Sequence, residues 1–162
     1  KERFSIPESL EEIKSTWMDM ARDKYTNKVP LKPGAREFLV WLRQQGIRTG
    51  IASSNGIELV ETVLKAQGIQ EYLESVHTCC EVPKGKPAPD IYLLVAETLG
   101  VKPEECLVFE DVPMGILAGK NAGMRVCAVE DTFSASQREE KKELADYYIE
   151  SYDEIPRERM QP

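Results

Sequence analysis

Three short polar clusters each follow an apolar run: Ser53-Ser54-Asn55, Lys86 and Glu110-Asp111. In an open parallel sheet the loops at the carboxyl ends of the strands meet at one crevice, so clusters placed this way share a site. A hydroxyl, an ammonium group and two carboxylates suit a phosphate held with magnesium, which takes a few carboxylate oxygens and keeps several waters. No carboxylate in the chain is placed to attack that phosphate.

Glu110-Asp111 sits between Leu107-Val108-Phe109 and Val112-Pro113-Met114-Gly115, where a strand gives way to a helix. Two oxygens there suit a metal, but an acidic cap on the helix beginning near Pro113 is an equal reading for Asp111. Lys86 lies in Gly85-Lys86-Pro87-Ala88-Pro89-Asp90, where two prolines predict an extended backbone that fixes the lysine's approach. An ammonium group so fixed neutralises a phosphoryl group and the carboxylate that attacks it. Ser53-Ser54-Asn55-Gly56 follows Gly50-Ile51-Ala52 and precedes a helix, where it either binds phosphate oxygens or serves as an ordinary N-cap. Walker-type and GxGxxG glycine patterns are missing, so neither a P-loop nor a dinucleotide site is supported.

The elements that must position these residues alternate along the chain. Leu10, Ile13, Trp17, Ala21 and Tyr25 recur at spacings of three or four and predict a first helix, with Ser5-Ile6-Pro7-Glu8 as its capping box. A Pro-rich linker follows from Asn27 to Gly34, then a helix carrying Phe38, Leu39, Trp41 and Leu42 that Gly46 stops. Strands are predicted at 47–52, 76–80, 106–109, 125–129 and 147–149, and helices at 57–66, 90–99, 116–122 and 134–144. Ser134 and Gln137 form the predicted capping pair of the last helix. The alternation implies right-handed crossovers and a three-layer α/β sandwich with a mostly parallel, Rossmann-like sheet. His77, the single histidine, lacks triad or zinc partners and reads as structural, and Trp17 and Trp41 read as packing residues. The run Arg138 to Glu143 reads as a solvated face with local ion pairs, and the tail after Ile155 as disordered.

At 162 residues, 41% hydrophobic and 30% charged, the chain suits one globular domain with a small appendage. Its net charge of −7 argues against nucleic acid or an anionic membrane as the main partner, though a local lysine and a metal still allow a small anion. No apolar run is long enough to span a bilayer, and Lys1 to Leu10 has no signal-like apolar stretch. Cys79, Cys80, Cys106 and Cys127 fall in the predicted strands 76–80, 106–109 and 125–129, with Cys79 and Cys80 on opposite faces, so a reduced, cytoplasmic setting is expected.

Taken in order, Ser53-Ser54-Asn55, Gly85-Lys86-Pro87-Ala88-Pro89-Asp90 and Phe109-Glu110-Asp111-Val112-Pro113-Met114-Gly115 resemble motifs two, three and four of the haloacid dehalogenase superfamily. The likeness is to its β-phosphoglucomutase and phosphoglycolate phosphatase-like branch, and Leu31-Lys32-Pro33-Gly34-Ala35 and Lys120-Asn121-Ala122-Gly123-Met124 add to it over residues 28–150. The resemblance implies that Ser53 bonds the transferring phosphoryl group, Lys86 balances charge, and Glu110 with Asp111 holds Mg2+, Asp111 being favoured as the direct ligand. It also implies that residues 1–27 are the remnant of a helical cap and 28–162 an α/β core.

Enzymes of this kind begin with an apolar strand ending in Asp-x-Asp, whose first aspartate attacks phosphorus and whose second acts as acid and base. Nothing here matches: Asp19 and Asp23 lie on the predicted cap helix, and Asp131 follows a different strand. The chain is therefore expected to be a fragment whose core lacks its first strand, the one between 47–52 and 106–109. That loss leaves two strand edges unpaired and puts the nucleophile outside the chain. The expected activity is a magnesium-dependent phosphatase acting on a small phosphorylated metabolite through an aspartyl phosphate, inactive without the missing N-terminal segment. The alternatives are a sugar-phosphate mutase and a non-catalytic phosphate-binding or interaction module.

Overall fold

In the computed structural model, which describes residues 6–157, the first helix, α1 (Leu10–Asn27), starts at Ser9. The Glu12 amide donates to the Ser9 hydroxyl (3.1 Å) and the Ser9 amide to the Glu12 carboxylate (2.7 Å). The capping box is thus Ser9 with Glu12, not Ser5 with Glu8; Ser5 lies outside the described residues. α1 lies on α3 (Ile57–Gln67) and fully buries none of its own residues. α2 (Ala35–Gln44) begins at Gly34, which has φ of +74° and whose Cα faces Asp153; a Cβ there would lie 2.7 Å from the Asp153 amide nitrogen.

From there strand and helix alternate: β1 (Gly50–Ser53), α3, β2 (Ser75–Thr78), α4 (Asp90–Leu99), β3 (Leu107–Glu110), α5 (Pro113–Asn121), β4 (Arg125–Val129), α6 (Arg138–Leu144) and β5 (Tyr147–Ile149). Every pairing is parallel, as the alternation implies, and the class is α/β. The strands form two sheets rather than one. β1 pairs with β2, placing Gly50 opposite Ser75, while β3, β4 and β5 follow in order, with Leu107 opposite Arg125 and Cys127 opposite Tyr147. Among the described residues β1 pairs only with β2 and β3 only with β4, so each keeps one edge outside the ladders.

Side chains join the two sheets. α4 lies on β1 and β2 while its Ile91, Tyr92 and Ala96 share a buried core with Val108, Val126 and Ala128 of the other sheet. α3 and the turn after it bury Val60, Leu64 and Ile69 against Ile51 and Val76. Phe38 of α2, Phe109 of β3 and Tyr152 form a three-ring cluster with centroids 5.3–5.5 Å apart. α5 approaches the sheet closely at Gly119, where a Cβ would lie 2.8 Å from Val126 Cγ2.

Several local expectations change. Cys79–Glu81 is a 3-10 turn closed by Thr78 and Glu81, so β2 ends at Thr78, Cys79 and Cys80 leave the strand, and Cys80 is exposed. All four cysteines are free thiols. Ser134 does not cap a helix with its side chain; a 3-10 turn, Ala135–Gln137, precedes α6. The charged run on α6 is not wholly solvated either, because Lys141 is completely buried, drawn inward by Glu130 and Ser134. His77 is structural as expected, held between Glu81 Oε2 (2.8 Å) and Thr98 Oγ1 (2.9 Å). No helix among the described residues is long and apolar enough to cross a membrane. Most of the tail after Ile155 lies outside them.

Candidate functional site

Lys86 sits in a tight turn in place of the extended segment its prolines predict. The Ala88 amide donates to the Gly85 carbonyl (3.0 Å), the Lys86-Pro87 peptide is cis, and Asn121 Nδ2 of α5 donates to the Pro87 carbonyl (2.9 Å). This turn aims the ammonium group across the interval between the sheets. Lys86 Nζ donates to the Ala52 carbonyl of β1 (3.1 Å) and forms an ion pair with Glu110 Oε1 at the end of β3. Both side chains are about nine-tenths buried, with 12% and 10% of their surface exposed. Buried charges of this kind need each other, since removing either leaves the other unpaired.

Glu110 is held from every side. Tyr92 of α4 donates its hydroxyl to the same Oε1, and the carboxylate rests on the bare Cα of Gly115, where a methyl group would overlap it. Burial, and then the neighbouring Glu110 charge, push the Tyr92 hydroxyl far above its ordinary range, so it stays protonated and remains a donor. Asp111 behaves differently. Val112, not Asp111, is the N-cap of α5, which removes the capping reading. The Asp111 side chain is 39% exposed and faces Lys32 Nζ at 3.4 Å. Lys32 also pairs with Asp131 (2.5 Å) and donates to the Glu130 carbonyl (3.1 Å), and this pairing holds the Asp131 carboxyl below its usual range.

The hydroxyl cluster closes the arrangement on the β1 side. Ser53 is the residue after the carbonyl that Lys86 grips, and its Oγ accepts from the Asn55 amide (3.1 Å). Asn55 Nδ2 donates to the Tyr25 hydroxyl (3.2 Å), bringing α1 onto this loop. Ser54 Oγ lies 3.7 Å from Cys79 Sγ. Gly56 is the N-cap of α3 without a side-chain bond, so Ser54 and Asn55 are not spent on capping. The predicted residues thus gather at the carboxyl ends of β1 and β3, with Lys86 and Glu110 in direct contact.

A cleft of about 170 Å3 lined by Lys32, Phe109, Glu110, Asp111, Val129 and Tyr152 opens beside them. A larger and mostly apolar groove, about 450 Å3, lies between α1 and the end of β2 and contains none of the motif charges. Among the site neighbours, Tyr92 carries no motif signal, Lys32 lies in the Leu31–Ala35 match without an assigned role, and Asp131 is the acid set aside for following a different strand. Glu130-Asp131 does carry the same signal as Glu110-Asp111, an acidic doublet at the end of an apolar strand, and Tyr92 is a polar-tipped ring within a mostly apolar helix.

The fold is thus a parallel α/β arrangement whose strand ends bring together a hydroxyl, an ammonium group and an acidic doublet. This chain belongs to the haloacid dehalogenase-like hydrolase family, whose sequence profile matches residues 5–123. Hexitol phosphatase B of Escherichia coli (strain K12) is 32% identical over 126 residues, which cover 78% of this chain and 56% of that protein. A phosphorylated carbohydrates phosphatase of Thermotoga maritima is also 32% identical, over 76% of this chain and 57% of its own length. Among solved structures, a CbbY mutant from Rhodobacter sphaeroides in complex with xylulose-(1,5)bisphosphate superposes with a TM-score of 0.81 at 25% identity, covering 93% of this chain and 67% of that one. The chain spans about half the length of the curated relatives it matches.

Proposed function

We propose that these residues form the phosphate- and metal-binding part of a magnesium-dependent phosphatase acting on a small phosphorylated carbohydrate. The carrying observation is the buried Lys86–Glu110 pair, which brings an ammonium group beside the Ser53 loop and the acidic doublet. Names of relatives that are phosphatases of hexitols and phosphorylated carbohydrates support the substrate class.

In this reading Ser53 and the first amides of α3 donate to phosphoryl oxygens, and Lys86 offsets their charge. Asp111 and Glu110 supply the carboxylate oxygens for Mg2+. Among the described residues there is no group of three or more His, Cys, Asp or Glu side chains able to hold a metal. Magnesium needs fewer, since one or two carboxylates suffice when waters and substrate phosphate fill the remaining positions, so the half-exposed Asp111 fits. When bound, the ion supplies positive charge against the phosphoryl oxygens. The carboxylates at the site are already engaged, Glu110 with Lys86 and Asp111 and Asp131 with Lys32. The attacking carboxylate of an aspartyl-phosphate route is therefore assigned to a segment outside these residues, on the open edge between β1 and β3. α1 is read as the part of a cap that reaches the site through Tyr25.

The test is hydrolysis of a hexitol phosphate by the 162-residue chain, alone and with a peptide carrying an Asp-x-Asp strand. Turnover requiring both peptide and Mg2+, and lost in Lys86→Ala, is expected. Robust turnover by the chain alone defeats the assignment of the nucleophile. Failure of both mixtures to bind phosphate or turn over substrate defeats the phosphatase reading.

A further inference from the structure

Behind the acidic doublet lies a buried polar chain that reaches the lining of the cleft through the backbone carbonyls of Asp111 and Val129. Lys141 of α6 has no exposed surface, and Ser134, in the loop after β4, has 1%. Lys141 Nζ donates to the Ser134 hydroxyl (3.0 Å), the Val129 carbonyl (3.3 Å) and Glu130 Oε2 (3.2 Å). The Ser134 hydroxyl, its lone pair taken by the ammonium group, donates to the Asp111 carbonyl (2.6 Å). Glu130 is itself fixed, by Arg138 Nη2 (2.5 Å) and the Tyr148 hydroxyl (2.5 Å).

We propose that Ser134 and Lys141 are positioning residues for Asp111. The inference rests on the metal reading of the doublet given above. A hydroxyl can donate only one proton, and acceptance from Lys141 leaves that of Ser134 pointed at the Asp111 carbonyl. Lys141, fully desolvated and satisfied by three acceptors, cannot swing away without stranding a buried charge. The Asp111 backbone is thus tied to the β4 loop by Ser134, while its side chain is tied to the same loop through Lys32 and Asp131. Two tethers from one loop set where the more exposed carboxylate of the doublet points.

Ser134→Ala removes one hydroxyl and leaves the Asp111 carbonyl without its donor; Ser134→Thr restores the donor. Two measurements on the full chain decide the matter: amide hydrogen exchange at residues 110–112 against α4, and Mn2+ binding followed by the free-ion paramagnetic resonance signal. Ser134→Ala is expected to speed exchange at 110–112 selectively and weaken Mn2+ binding by about threefold or more, the size expected for one net hydrogen bond. Ser134→Thr should restore both, and Lys141→Met should reproduce the local exchange change. Exchange that is unaltered, or raised equally in α4, overturns the inference. A wild-type chain that binds no Mn2+ defeats the metal reading instead, and the exchange pattern then still decides whether Ser134 and Lys141 hold Asp111.

Discussion

Gly115→Ala isolates the packing of the Glu110 carboxylate. On helix propensity alone the change should help, since alanine is favoured over glycine by about 1 kcal/mol inside a helix, and Gly115 is the third residue of α5. The structure opposes it, because the new methyl group would overlap a carboxylate already fixed by Lys86 and Tyr92 and only 10% exposed. Removing one partner of a buried pair costs about 3–5 kcal/mol. Here both charges survive and can regain some water, so a net loss of about 1–3 kcal/mol remains after the propensity gain. Urea denaturation of the wild type, Gly115→Ala, Glu110→Ala and the double variant closes a thermodynamic cycle. With the carboxylate gone, Gly115→Ala should be neutral or stabilising by up to about 1 kcal/mol. An equal cost in both backgrounds, or a Gly115→Ala protein as stable as the wild type, refutes the packing argument.

The Glu130 carboxyl is lowered from 4.5 to about 2, chiefly by Arg138, with Tyr148 and Lys141 adding to it. A carboxyl depressed by folding adds stability that is complete above its unfolded value and is lost as pH falls toward the folded one, so the contribution fades between pH 4.5 and about 2. Glu130→Gln should therefore flatten the fall in urea midpoint over that window, and an unchanged slope would show that these contacts do not bias Glu130. Gly119→Ala places a methyl group 2.8 Å from Val126 Cγ2 and should destabilise by about 1–2 kcal/mol despite its helical position, read by thermal unfolding. Among the thiols, exposed Cys80 should alkylate first, and Cys127, buried and pushed up to about 11, should resist until unfolding; mass mapping after brief iodoacetamide treatment checks the order.

Elements whose signal is local were readable from the chain. α4 runs Asp90–Leu99 and β4 Arg125–Val129 as predicted, because Gly100 and Gly123 punctuate them with positive φ and both segments are mostly apolar. What could not be read depends on residues distant in sequence. Lys141 looks like one member of a solvated charged face until Glu130 and Ser134, brought in by the β4 loop, offer it a complete set of acceptors. Asp111 looks like a helix cap until Lys32, 79 positions away, arrives beside it. The Lys86 turn shows the same limit, since a pair of prolines restricts φ without deciding between an extended segment and a turn.

The break between the sheets gives Lys86 a second role beyond charge. Backbone ladders hold β1 to β2 and β3 to β4, but among the described residues none links β1 to β3, so no ladder there fixes Ser53 in register with Glu110. Lys86 makes that link, with the Ala52 carbonyl on one side and the Glu110 carboxylate on the other, while α4 packs against both sheets beneath it. An ammonium group has three donors, and two are committed here, leaving one to point toward an anion. Arginine at the same position would keep the charge, but its planar fork is too broad to reproduce two convergent short contacts in a nine-tenths buried turn. The spacing between the hydroxyl loop and the acidic doublet is therefore set by Lys86 above and the α4 packing below, and the geometry that would bind phosphate is part of what holds the two sheets together.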